Sequence, residues 1–261
     1  MSTKRKNLSA GESLSKLIQG NARFLSGLKS VETLLTRKNI TKLATEGQFP
    51  FCVVVTSSDS RVPIEYIFDR GLGDVFVIRT FDNGIDSTIA ASIEYAVLSF
   101  GINLVVVVGH SRLGLVRLTM ENETEFSTAE SPALQKLVRK GRPLVARARM
   151  KEHYFGKIDP GSTEREKIFA QSCELSIATC RQDILRESPL LADKIKKNEL
   201  ALVTALYDMD CGKMNFRYDR KLAIELENSI LHSEETRNYA KIIDEIVEKH
   251  SRRKKRSTNT G

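Results

Sequence analysis

Two short segments of the chain carry the residue types that can do chemistry. One reads Thr56-Ser57-Ser58-Asp59-Ser60-Arg61 and the other Gly109-His110-Ser111-Arg112-Leu113-Gly114, and each directly follows a valine-rich run. An Asp and an Arg two residues apart on a turn can pair bidentately, which holds the carboxylate ionised and oriented. A histidine just past a second strand end faces the same crevice, because ligands of open parallel sheets sit beyond the carboxyl ends of the strands. Three kinds of chemistry fit these residues. Asp59 and Arg61 could orient a water, and Arg61 with Arg112 and the helix start after His110 could hold a small anion. Ser57 or Ser58 could act as nucleophile with His110 as base. That last reading is the weakest, because no Gly-x-Ser-x-Gly elbow frames the serines and turn serines usually bond to backbone.

The surrounding pattern supplies the elements that must position them. Phe51 to Thr56 is a short apolar run with the signature of a strand buried on both faces. Pro63 suits the first position of a short helix over Ile64 to Phe68. Asp74 to Arg79 reads as the next strand, Ser87 to Phe100 as a helix, and Asn103 to Gly109 as another buried strand before a helix from Leu113 to Met120. Strand and helix alternating at this spacing predict an α/β fold with a parallel sheet and right-handed crossovers. Upstream, Ser9 with Glu12 forms a capping box for a helix whose Leu14, Leu17, Ile18, Ala22 and Leu25 share a face. A second, weaker helical segment spans Leu35 to Gly47. Downstream, Glu121 to Pro132 reads as a surface loop, Ala133 to Met150 as a basic, weakly helical stretch and Ser162 to Arg186 as a long helix. Leu200 to Asp208 is a fourth strand, turned at Cys211-Gly212-Lys213 into Met214 to Tyr218, with helices over Leu222 to Leu231 and Glu235 to His250. The expected organisation is an N-terminal helical arm (1–50), one α/β domain (51–232), a C-terminal helix (233–250) and a basic tail (251–261).

Composition excludes several classes. The chain is 41% hydrophobic and 28% charged, which fits a globular protein with one sizeable core. No apolar run approaches the roughly 20 residues that span a bilayer, and Met1 to Asn7 has no apolar segment behind it, so a cytoplasmic protein with no membrane partner is expected. Of the formal net charge of +8, five units come from the run Arg252 to Arg256. A solvated tail is the default for such a run, and no nucleic-acid motif accompanies it. Cys52, Cys173, Cys180 and Cys211 form no CxxC pair; Cys173 and Cys180, seven apart, suit a core seam. His153, His232 and His250 lie in charged surroundings and are expected at the surface.

The motifs resemble the β-class carbonic anhydrases, zinc enzymes that interconvert carbon dioxide and bicarbonate. The likeness is carried by Leu17 to Phe24 (LIQGNARF), Asp59 to Pro63 (DSRVP), Gly73 to Arg79 (GDVFVIR), Ser92 to Val97 (SIEYAV) and Gly109-His110. Ser188-Pro189-Leu190-Leu191 and Tyr207-Asp208 before Gly212-Lys213 continue it, so it covers the chain from about Leu17 to Tyr218. It implies a single-domain fold with a mostly parallel sheet flanked by helices, and assembly as a homodimer or tetramer.

The resemblance also implies where zinc would be held. The family's ligands are a cysteine two before the Asp, the histidine of the Gly-His turn, and a cysteine three after it. Those positions are Ser57, His110 and Leu113 here, and only the histidine is retained. A serine hydroxyl is a poor zinc ligand and leucine is none, whereas a catalytic site needs three protein ligands and a water. No bound metal is therefore expected, and Asp59 and Arg61 become a retained but vestigial pair. Asp59 as a substitute ligand, or Cys52, Cys211, Cys173 or Cys180 as a rescuing thiol, leaves the set short or badly placed. After Arg79 the family continues with small residues, where this chain has Thr80-Phe81-Asp82-Asn83, which implies a bulkier, more acidic wall. The expected function is a carbonic-anhydrase-like protein without catalytic zinc, with bicarbonate or another anion at Arg61 and Arg112 as its remaining ligand. The alternative is an active carbonic anhydrase with zinc in an unusual site.

Overall fold

The computed structural model describes residues 7–28, 36–82, 84–122, 131–154, 159 and 161–231. In chain order the elements are α1 (Ala10–Ser26), α2 (Arg37–Glu46), β1 (Cys52–Ser57), α3 (Ile64–Ile67), β2 (Val75–Thr80), α4 (Ser87–Phe100) and β3 (Leu104–His110). There follow α5 (Gly114–Glu121), α6 (Pro132–Lys151), α7 (Thr163–Glu187), α8 (Pro189–Lys196), β4 (Ala201–Tyr207), β5 (Met214–Arg217) and α9 (Arg220–Leu231). The strands form one sheet in the order β2-β1-β3-β4-β5. Every pairing is parallel except β4 with β5, which returns through the Asp208–Lys213 turn and pairs antiparallel. The expected helix over 233–250, the basic tail, Asn83 and most of the loop between Glu121 and Pro132 lie outside the described residues.

All residues of β1 and β3 are buried, which requires helices on both faces. Side-chain alternation sorts them. Cys52, Val54, Leu104, Val106 and Val108 pack on one side with Leu14 and Leu17 of α1, Ile64 and Ile67 of α3, and Leu222 and Leu226 of α9. Val53, Val55, Val105 and Val107 pack on the other with Ile93 and Val97 of α4, Ile177 and Ile184 of α7, and Leu191 of α8. A third apolar cluster joins α5, α6 and α7 and takes in Leu113.

The capping box predicted at Ser9 and Glu12 is formed, and α4 spans the expected residues. Other boundaries move by a residue or two. His110 is the last residue of β3 rather than the first beyond it, and Pro63 is the N-cap of α3 rather than its first helical residue. The helix α8 was not foreseen, although Ser188 caps it and Pro189 opens it. The weakly helical stretch proves to be one 20-residue helix with Pro143 inside it; Pro143 is exposed, so the carbonyl it leaves unpaired can meet water. Cys173 and Cys180 share a helix face but lie two turns apart and enter different clusters.

α1 belongs to the core of its own chain, and Gly20 is the reason it can approach closely: a Cβ there would collide with the Phe68 carbonyl oxygen. Gly20→Ala should therefore destabilise the protein by about 2 kcal/mol or more in urea titration, although helix propensity alone favours Ala by about 1 kcal/mol. A neutral or stabilising outcome would show that α1 does not sit this close.

Candidate functional site

The carboxyl ends of β1, β2 and β3 converge on the two segments singled out in the sequence. Ser57 ends β1 and pairs in register with Thr80, the last residue of β2. His110 ends β3 and lies opposite Tyr207 of β4. The turn after β1 is braced from three directions. Arg61 donates from Nε to Asp59 Oδ1 at 2.9 Å and from Nη2 to Oδ2 at 2.7 Å, the bidentate pair expected from the spacing. The Arg61 backbone N–H adds a bond to the same Oδ1. Arg79, at the penultimate position of β2, donates to the Ser57 carbonyl at 3.1 Å and to the Asp59 carbonyl at 2.7 Å. This bracing role was not read from the sequence, where Arg79 counted only as the end of a motif. The Arg61 hydrogen bonds are the main cause that holds the Asp59 carboxyl at about 2, well below the usual carboxylate range.

Ser57 is buried, and its hydroxyl accepts from the Asp59 N–H at 3.1 Å. It makes no bond to His110, whose two ring nitrogens are both buried without a hydrogen-bond partner. The nucleophile–base pairing is thus not assembled. Burial pushes the His110 imidazole down to about 4, with Asp59 acting in the opposite direction and Arg61 in the same one. His110 is therefore neutral near pH 7, with a nitrogen lone pair and no protein donor to meet it.

The third position of interest is closed by carbon. Leu113 is 1% exposed, caps α5 through its backbone and packs with Val116, Val145 and Ala148. Cys173, expected to be badly placed for rescue, in fact joins the same cluster, and the Leu113 backbone N–H faces its sulfur. Burial pushes that thiol up to about 12, so it is protonated and a poor ligand at neutral pH. Cys52 is fully buried within the sheet and its thiol is pushed up further. Phe81 stands over the start of α5, its ring 3.1 Å from where a Cβ on Gly114 would lie. Asp82, the acidic addition to the wall, is taken up by Lys140 of α6 at 3.0 Å and by the Gly84 N–H. Arg112 is turned to Asp210, Nη2 to Oδ1 at 3.0 Å, in a backbone conformation with φ of 116°. Both arginines expected to hold an anion are thus already paired with carboxylates.

Whether these residues fit zinc can be asked of the donor set itself. Among the described residues, no group of three His, Cys, Asp or Glu side chains is placed to hold a metal ion. His110 offers a donor nitrogen, but Ser57 offers a hydroxyl already engaged and Leu113 offers hydrocarbon, so the set does not fit.

A family model described as carbonic anhydrase matches residues 52–214. The chain is 30% identical over 203 residues to a carbonic anhydrase of Mycolicibacterium smegmatis, covering 77% of this chain and 90% of that one. It is also 30% identical over 201 residues to carbonic anhydrase 2 of Mycobacterium tuberculosis, covering 77% and 89%. The chain belongs to the β-carbonic anhydrase family. Its fold is that of the solved members. Tetrameric β-carbonic anhydrases of Sordaria macrospora align with a TM-score of 0.56 at 23% identity, over 68% of this chain and 84% of theirs. The β-carbonic anhydrase CcaA aligns with a TM-score of 0.57 at 22% identity, over 79% and 92%.

The Asp59 shift carries a sign that can be tested. Its carboxyl titrates at about 2 when folded against an ordinary value near 4, so its stabilisation is present above about pH 4 and is lost as pH falls through about 2. Arg61 is half-exposed, so the contribution is about 1 kcal/mol or less. Asp59→Asn should flatten that part of the acid limb in denaturant titrations, and an acid limb identical to wild type would show that the pair adds nothing.

Proposed function

We propose that this β-carbonic-anhydrase family member does not bind catalytic zinc and is inactive or weak in hydrating carbon dioxide. The observation that carries the reading is Leu113, buried in an apolar cluster where the family pattern places a thiolate. Zinc lowers the pKa of a bound water to about 7 and so supplies hydroxide at neutral pH. Asp59 and Arg61 can orient a water, but neither can make hydroxide from it. The pair persists as a structural brace for the turn after β1, with Arg79 as the third member. Bicarbonate or another small anion could reach Arg61 and Arg112 only by sharing them with Asp59 and Asp210.

The second reading is an active carbonic anhydrase with an unusual metal site. It is favoured by the curated carbonic anhydrases to which the chain is similar over about nine-tenths of their length. It is also favoured by the two unpartnered nitrogens of His110, which suit a neutral imidazole ligand. Stopped-flow carbon dioxide hydration separates the two. With zinc added, wild type should show little or no enzymic turnover, and Ser57→Cys with Leu113→Cys, helped by Phe81→Ala, should gain both zinc and activity. Turnover by wild type at a rate this triple variant does not exceed would establish the second reading.

We further propose that the chain self-associates as a homodimer or tetramer. Supporting this, α2 has no buried residue within its own chain and leaves Ile40 49% exposed, and a ten-residue helix is marginal unless packed. Sedimentation velocity should find a dimer or larger species at micromolar concentration; a monomer would contradict it.

A further inference from the structure

α6 is unlike any other helix among the described residues. It carries seven Lys and Arg and no Asp or Glu. Its apolar side, Val138, Gly141, Leu144, Val145 and Ala148, is buried against the protein. Lys136, Lys140, Arg147 and Lys151 fall within about 60° of one another around the helix and form a row about 22 Å long. All four are exposed, with Arg139 and Arg142 flanking them. Among the described residues the only carboxylate paired with the row is Asp82, which holds Lys140. The other exposed positions of α6 are all apolar: Pro132, Ala133, Leu134, Pro143, Ala146 and Met150, the last 65% exposed.

We propose that this face of α6 docks on an anionic lipid surface. A row of cations with exposed methionine and proline between them suits acidic headgroups over a hydrocarbon boundary, where long basic side chains keep their charge in the headgroup layer while their stems lie against apolar surface. The face carries no exposed aromatic for stacking on bases and no exposed Asn, Gln, Ser or Thr to contact base edges, which disfavours a nucleic acid. Because the apolar side of α6 is already buried in the protein, the contact is a surface attachment and needs no spanning segment. It revises the expectation of no membrane partner, which rested on the lack of an apolar run long enough to span. The attachment would set the turn holding Phe81 and Asp82 close to the lipid, since Lys140 bonds to Asp82.

The test is cosedimentation of the full chain with phosphatidylserine–phosphatidylcholine vesicles at low ionic strength. Binding is expected to these vesicles and not to phosphatidylcholine alone, and raised salt should release it. The triple variant Lys136→Gln, Arg147→Gln and Lys151→Gln should lower the partition coefficient roughly 100-fold with an unchanged far-ultraviolet spectrum. A second variant with glutamine at all five positions of the Arg252–Arg256 run should still bind. The proposal is overturned if wild type does not pellet with anionic vesicles, if the triple variant binds as wild type does, or if only the second variant loses binding. Tighter binding of a single-stranded RNA oligomer than of vesicles at the same salt also overturns it.

Discussion

The structure depends on the backbone hydrogen bonding of strands that water cannot reach. β1 and β3 are buried along their whole length on both faces, so each N–H and C=O must find a partner in a neighbouring strand. Parallel pairing satisfies them and requires a crossover for each pair, and those crossovers are the helices that supply the two apolar faces. Register then follows: Ser57 is held level with Thr80, and His110 level with Tyr207. The polar residues that leave the sheet do so together at its carboxyl edge, because the pairing that buries the strands also aligns their ends.

At that edge the first turn is held by the protein's own side chains. Asp59, Arg61 and Arg79 form a hydrogen-bonded brace that fixes the backbone of the first turn whether or not a metal is present. His110 shows what a missing partner leaves behind. A buried polar group without a hydrogen bond costs about 1–3 kcal/mol, and both nitrogens of this ring are in that state. Neutrality limits the cost, and burial enforces it. Leu113 works in the opposite direction, adding apolar contacts to the cluster around α5 to α7. Packing of this kind stabilises the scaffold without requiring a cofactor.

Much of this was legible in the sequence, and the reasons are local. Valine-rich runs of strand length, bounded by turns, announced β1 and β3, and the capping box and amphipathic face announced α1. The bidentate pair was readable because two residues on one turn leave little freedom. What stayed hidden depended on contacts between distant segments. Arg79 reaches the turn after β1 only because β2 lies beside it. Arg112 looked available for an anion, yet its backbone conformation aims it at Asp210, 98 residues further on. Cys173 looked badly placed until the packing of α7 against α5 set it in the same cluster as Leu113. The solvent-exposed row on α6 was present in the sequence as a basic stretch, but which of its cations share a face follows only once the buried side is known.

The proposed loss of zinc from an intact family scaffold would show in the metal itself. The most direct measurement is the metal content of wild-type protein purified without chelator and equilibrated with zinc, read by inductively coupled plasma mass spectrometry after gel filtration. Zinc far below one ion per chain is expected. One zinc per chain, lost on His110→Ala, would contradict it.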